Sequence, residues 1–236
     1  SSKMKKIQFM AMSQQVEDMY PHPRPAKAYV PDWYKSAKRF RTGKMEVLPE
    51  GAGINKDLKL CVPFLDGLTA GYALELPADL LVQRDERGVG FFWNEEPGPI
   101  EVRPKDMAVT LPRPHGHDQD LYAWTFHWAS ITPPGYSLLV VHPLNRFELP
   151  FTTTAGIMDS DNFSLGGQIP FFLQKDFTGI IPAGTPIAQL IPIKRDNWRS
   201  EVIPHKQGFV QKQLFNVSRY LYGGYKKHLW VKKSYE

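Results

Sequence analysis

The stretch LYAWTFHWAS, residues 121–130, constrains the fold more than any other. Tyr122, Trp124, Phe126 and Trp128 alternate with Ala123, Thr125 and His127. A period of two places four large rings on one face of a strand, whereas a helix would scatter them around its axis. Such a face either packs into the core of a sandwich or barrel, or serves as a platform on which bases or sugars stack. Similar short apolar runs follow, divided by glycine and proline. GYSLLVVHP (135–143) reads as a buried strand after the turn residues TPPG. GQIPFFL (167–173), GIIP (179–182) and PIAQLIPIKR (186–195) read as further strands. RDERGVGFFW (84–93) reads as a hairpin turning at Gly88. Twenty-one prolines in 236 residues fit short strands and turns better than long helices. The expectation is an all-β domain over residues 59–200.

The two ends read differently. Residues 1–58 are expected to form an arm. Spaced prolines in YPHPRPAKAYVPDWYKSAKRF (20–40) favour extended backbone, and Asp32 can cap a short helix containing Trp33, Tyr34 and Ala37. An arm this rich in aromatic rings is expected to dock rather than float. Residues 201–236 form a basic tail. Val210, Leu214, Val217 and Leu221 recur at helical spacing, which predicts an amphipathic helix over 207–222 ended by Gly223–Gly224.

Charge follows the same division. Residues 1–44 carry net +7, residues 45–200 net −7 and residues 201–236 net +5. Basic ends on an acidic middle admit three readings. The ends are solvated tails, or they lie across the acidic cores of neighbouring subunits, or they neutralise the phosphates of a nucleic acid whose bases stack on nearby rings. The acidic middle argues against the whole protein wrapping a duplex.

Other chemistry is thinly represented. No apolar run approaches the ~20 residues of a spanning helix, and no apolar signal core follows the N-terminal lysines, so no membrane association is expected. A single cysteine, Cys61, allows no internal disulfide; its apolar context predicts a buried, inert thiol. RPHGHDQD (113–120) offers His115, His117 and Asp118 as a weak metal set, with a distant His127 or His142 needed to complete it. Against that reading, Pro114 and Gly116 indicate a solvated loop. The Gly88–Gly90 pair lacks the Lys-Ser/Thr of a phosphate loop, and no nucleophile triad has local support.

Three stretches, in order, carry a resemblance to the dUTPase and dCTP-deaminase superfamily, the β-clip fold. LTAGYALELPADLLV (68–82) resembles its first motif, AGIMDSDNFSLGGQIPFFL (155–173) its third, and IPAGTPIAQLIPI (181–193) its Ile-Ala-Gln-Leu strand. More loosely, the layout is similar to proteins encoded by tailed bacteriophages. The resemblance implies a threefold homotrimer and a nucleotide pocket. It implies that Asp159 matches the acid that orients a water for attack on the α-phosphate. It also implies ligand contacts from Gly71, Tyr72, Asp161, Asn162, Phe163, Gln189 and Arg146, with Mg as a companion of a bound triphosphate. The implied location is the cytoplasm of a host cell, or a virion.

This sequence departs from the family pattern where phosphate is gripped. Leu144 and Asn145 stand where the family has Arg-Ser, leaving Arg146 one register away. No glycine-rich closing arm is visible. IPFFLQ lacks the deaminase glutamate, and Ala73 replaces the first motif's acid. Phosphoryl chemistry depends on positioning and charge neutralisation, which a lone carboxylate cannot provide. The expectation is a catalytically reduced, dUTPase-like protein that acts by binding or oligomeric assembly. The alternative is an active deoxynucleotide pyrophosphatase or deaminase of altered specificity that uses Asp159.

Overall fold

The aromatic alternation does form a strand. In the computed structural model, which describes residues 4–94, 96–102, 110–220 and 223–236, it is β7 (His117–Thr125), strands and helices being numbered in chain order. β7 pairs antiparallel with β12 (Gln168–Gln174) and β6 (Ile100–Val102), and β10 (Phe151–Thr153) completes a four-stranded sheet. Trp124 is fully buried and stacks on Phe171, with ring centroids 3.8 Å apart and planes 12° from parallel. Phe151 meets Trp124 edge-on at 5.0 Å. The indole N–H donates to Thr153 Oγ1 (3.0 Å), and that hydroxyl donates to the Ile187 carbonyl (2.6 Å). One threonine therefore satisfies the polar atom that the large ring brings into the core. Tyr122, Phe126 and Trp128 are buried as well, so the aromatic face is core and not a stacking platform. The strand breaks at Phe126–His127 and resumes as β8 (Trp128–Ile131).

The remaining strands form three more antiparallel sheets. A five-stranded sheet runs β11 (Gly156–Met158), β9 (Tyr136–Val141), β14 (Pro186–Lys194), β3 (Tyr72–Glu75), β2 (Arg24–Pro25). A three-stranded sheet runs β13 (Gly179–Ile181), β4 (Leu80–Asp85), β5 (Gly88–Phe92), and β1 (Gln8–Ala11) pairs with β8. The architecture is mostly sheet with few helices, and among the described residues none of these sheets closes into a barrel. Just before β3, Gly71 has φ +66°, and a Cβ there would overlap the Leu190 carbonyl oxygen, so only glycine lets these backbones approach.

One compact unit combines the residues up to Tyr29 with Gly71–Arg195; the other combines Val30–Ala70 with Asp196–Glu236. Residues 4–29 are therefore part of the sheet-rich unit. β1 and β2 are ladder strands, and α1 (Gln14–Met19), capped by the Ser13 hydroxyl, lies between them. Pro25 is tolerated because β2 is an edge strand, where its missing N–H costs no ladder bond.

The second unit holds α2 (Asp32–Lys35), α3 (Val62–Thr69), α4 (Gln207–Ser218) and α5 (Gly224–His228). The first of these begins one residue earlier than expected: Pro31 is the N-cap and Asp32 the first helical residue. Tyr34 stacks on Phe64, 6.2 Å between centroids. Near the C-terminus, Trp230 Nε1 and Lys233 Nζ both donate to Asp66 Oδ2, each at 2.8 Å, tying that segment to α3. α4 covers most of the predicted 207–222 helix; residues 221 and 222 lie outside the described residues. Its apolar side chains Phe209, Leu214 and Phe215 are exposed, as are Trp198 and Val202 in the irregular segment before it.

Candidate functional site

The paired acids sit in the turn after β11. The turn is closed by the N–H groups of Asn162 and Phe163, both 2.9 Å from the Asp159 carbonyl. Asp161 is held from three directions. Gly135 N–H donates to Oδ2 at 2.9 Å, Arg195 Nη1 donates to Oδ1 at 2.8 Å, and Arg195 Nη2 donates to Oδ2. Arg195 Nη1 also donates to Ser137 Oγ (2.8 Å) and the Tyr136 carbonyl (3.0 Å), while Ser137 Oγ donates to Asp159 Oδ1 (2.7 Å). The sheet register explains the assembly. β14 pairs with β9 through Ile193 opposite Ser137 and Lys194 opposite Tyr136, so Arg195 lands opposite Gly135, its N–H 2.9 Å from the Gly135 carbonyl, with its side chain within reach of Ser137 and the turn.

The electrostatics follow from this geometry. The Arg195 guanidinium, followed by the Gly135 N–H, holds the Asp161 carboxyl well below the usual carboxylate range. Asp161 in turn raises Arg195 above its ordinary value. A bidentate guanidinium–carboxylate pair of this kind fixes geometry strongly. Two carboxylates share one guanidinium, which is 3.9 Å from Asp159 Oδ1. With two carboxylates to one guanidinium, the cluster's cation is already engaged. The cluster does not fit Mg: the Asp161 oxygens are engaged by Arg195 and Gly135, Asp159 Oδ1 is engaged by Ser137, and a guanidinium stands beside both acids.

The other residues implied by the family resemblance lie elsewhere. Gln189 is buried and its Oε1 accepts the Leu144 N–H at 2.8 Å. Its partners across the ladders are Val141 and Ala73. Gly71 and Tyr72 are buried in backbone packing next to it. Arg146 donates to Glu148 (2.6 Å) and to the Tyr29 carbonyl (3.0 Å). Gln189 and Lys194 face opposite ends of β9, so five residues of strand, about 16 Å, separate this group from the acid turn. Only Asn162 and Phe163, both exposed, stay with Asp159 and Asp161.

The histidine loop disperses its side chains. His117 Nδ1 meets the His115 carbonyl (2.9 Å), its Nε2 meets Thr152 Oγ1 (2.9 Å), and Asp118 pairs with Arg84 (2.7 Å). Neither distant histidine joins them: His127 Nε2 meets the Gly98 carbonyl (2.9 Å), and His142 bridges Thr153 N–H and the Arg146 carbonyl. Among the described residues, no three His, Cys, Asp or Glu side chains converge on a metal position. No helix among them is long and apolar enough to cross a membrane.

Two features escaped the sequence. Arg195 was visible only as the basic end of an apolar strand; nothing local announced that register would carry it to the acids. The second is a cleft of about 860 Å³ within the second unit. Leu60, Val62, Leu65 and Val217 give it apolar walls, and Arg39, Lys56, Lys59 and Lys226 surround it with positive charge. Cys61 lies in its wall, half-buried and not sealed in a core as its apolar context suggested.

No family model matches the chain, and no curated protein matches it. A solved structure does. The chain is similar to a point-mutant dUTPase from phage phi11 of S. aureus, described as revealing the coordination of a structural Mg(II) ion. The identity is 12%, the likeness covers 46% of this chain and 98% of that one, and the TM-score is 0.27. A score of that size carries no residue correspondence.

Proposed function

We propose that the sheet-rich unit is a β-clip domain of dUTPase type that has lost catalysis, and that the protein acts by binding and by assembly into a homotrimer, in the manner of a phage-encoded structural or regulatory component. One observation carries the loss of catalysis: Asp161, Asp159, Ser137 and Arg195 are engaged with one another. A dUTPase-type reaction needs a carboxylate that orients water and cations that neutralise the phosphates. Here the nearby cation is already committed to the carboxylates.

Assembly is supported by the exposed apolar side chains of α4 and by the opposite charges of the acidic middle and the basic tail. The test is turnover. The full chain is incubated with a panel of deoxynucleoside triphosphates, and pyrophosphate and ammonia are measured. Release of neither is expected. Turnover that disappears in Asp159→Asn would overturn the proposal in favour of an active enzyme. Light scattering checks assembly: a trimer at low salt that dissociates as salt rises and is weakened by Leu214→Glu is expected, and a salt-insensitive monomer contradicts it.

A further inference from the structure

We propose that the cleft of the second unit binds single-stranded nucleic acid. This goes beyond the reading of the acid turn and does not depend on it. The second unit carries fifteen Lys/Arg against eight Asp/Glu, net +7, although the whole chain is only +5. The cleft draws on that excess. Arg39, Lys56 and Lys226 line it, and among the described residues none of the three is ion-paired to a carboxylate. Its acid, Asp57, is occupied at the start of a helical turn, where Oδ1 accepts the Leu58 N–H at 2.7 Å. Lys59 is committed inward: Nζ donates to the Lys35 carbonyl (2.7 Å) and lies 5.6 Å from the Tyr34 ring centroid.

Tyr225 contributes a partly exposed ring to the same cleft, 40% accessible, whereas the Tyr220 ring is already stacked on His228 at 5.3 Å. Cations without a carboxylate partner (Lys226 leans on the Trp230 ring, 5.9 Å away) can track a phosphate backbone, and an accessible ring can stack a base; these are the two requirements of single-strand binding. The volume lies within the range of sites that enclose organic ligands. Charge and stacking together decide between occupants. The acidic middle of a second copy, residues 45–200 at net −7, would match the charge but offers no bases to lie on Tyr225. A polyanion that carries aromatic bases complements both features.

The experiment is fluorescence anisotropy of the full chain with a labelled single strand of about sixteen nucleotides, titrated at increasing salt. Three phosphate contacts predict a log–log salt slope of about −2, and Lys56→Ala and Lys226→Ala should each reduce its magnitude by about 0.7. Tyr225→Leu should weaken binding about five- to a hundredfold while leaving the slope unchanged. Lys56 and Tyr225 are exposed, so these variants are expected to fold, and far-UV circular dichroism checks this. Wild-type affinity that the cleft substitutions leave unchanged would overturn the proposal. So would equal affinity for a duplex of the same length, or competition by polyglutamate as strong as that of unlabelled single strand.

Discussion

The aromatic core of one unit and the cleft and α4 of the other use their rings and charges in opposite ways. In the sheet-rich unit, Trp124, Tyr122, Phe151 and Phe171 are buried against one another, and ions such as Asp161 with Arg195 or Asp118 with Arg84 are paired. In the helical unit, rings and apolar side chains such as Trp198, Phe209 and Tyr225 are exposed, and Arg39, Lys56 and Lys226 have no carboxylate partner among the described residues. Residues that satisfy each other hold a fold; residues left exposed and unpaired are available to something else. The family resemblance falls in the first unit, whereas the features suited to a partner fall in the second.

The largest test of that contrast is Trp124→Ala. It leaves a void at the stacked pair and takes away the donor to the Thr153 hydroxyl, so a loss of ~3–5 kcal/mol in urea unfolding is expected. A loss under about 1 kcal/mol would mean that the aromatic face is not the core. Arg195→Gln comes next, with a clear but smaller loss. Asp161 is depressed when folded, so its contribution is present above the ordinary carboxylate pKa of about 3.9 and is lost as pH falls from there toward the folded value. The wild type should show that acid loss in urea midpoints, and Arg195→Gln should not.

A third effect runs the other way along the pH scale. Burial lowers the proton affinity of His142, whose Nδ1 must accept the Thr153 N–H (3.1 Å) while Nε2–H faces the Arg146 carbonyl (3.0 Å). Below about pH 6.5 the unfolded histidine binds a proton that the folded one refuses. Stability should therefore fall as pH drops through that value, and His142→Asn should flatten the fall. The smallest effect is expected on α4: in the monomer, at high salt, Phe215→Ser should change stability by no more than about 0.5 kcal/mol. A larger change in the monomer would show that the helix face is already covered within the chain.

Much of the first unit was legible because strand alternation and glycine–proline punctuation are local signals. Residues 121–125 read correctly as one aromatic face because a period of two leaves no other assignment. Residues 1–29 did not, because an edge strand of two residues beside a proline carries no pattern of its own; its partner β3 is some fifty residues away. The same holds at the site. The acids were legible as a turn, but Arg195 is 34 residues from Asp161, and only the pairing of β14 with β9 joins them. Gln189 and Arg146 matched a motif in sequence, yet the same ladder places them at the far end of β9. The cleft was the least legible, since it combines residues between 34 and 65 with residues 217, 220 and 223–226.

The central claim is that Asp161 is clasped by Arg195 and not poised for catalysis. NMR titration of the Asp161 carboxyl carbon tests it directly, taken from neutral to strongly acid solution with and without a deoxynucleoside triphosphate. The account predicts titration well below the ordinary carboxylate range, unmoved by nucleotide, and a return to that range in Arg195→Gln. An ordinary titration in the wild type, or one displaced by the nucleotide, would contradict it.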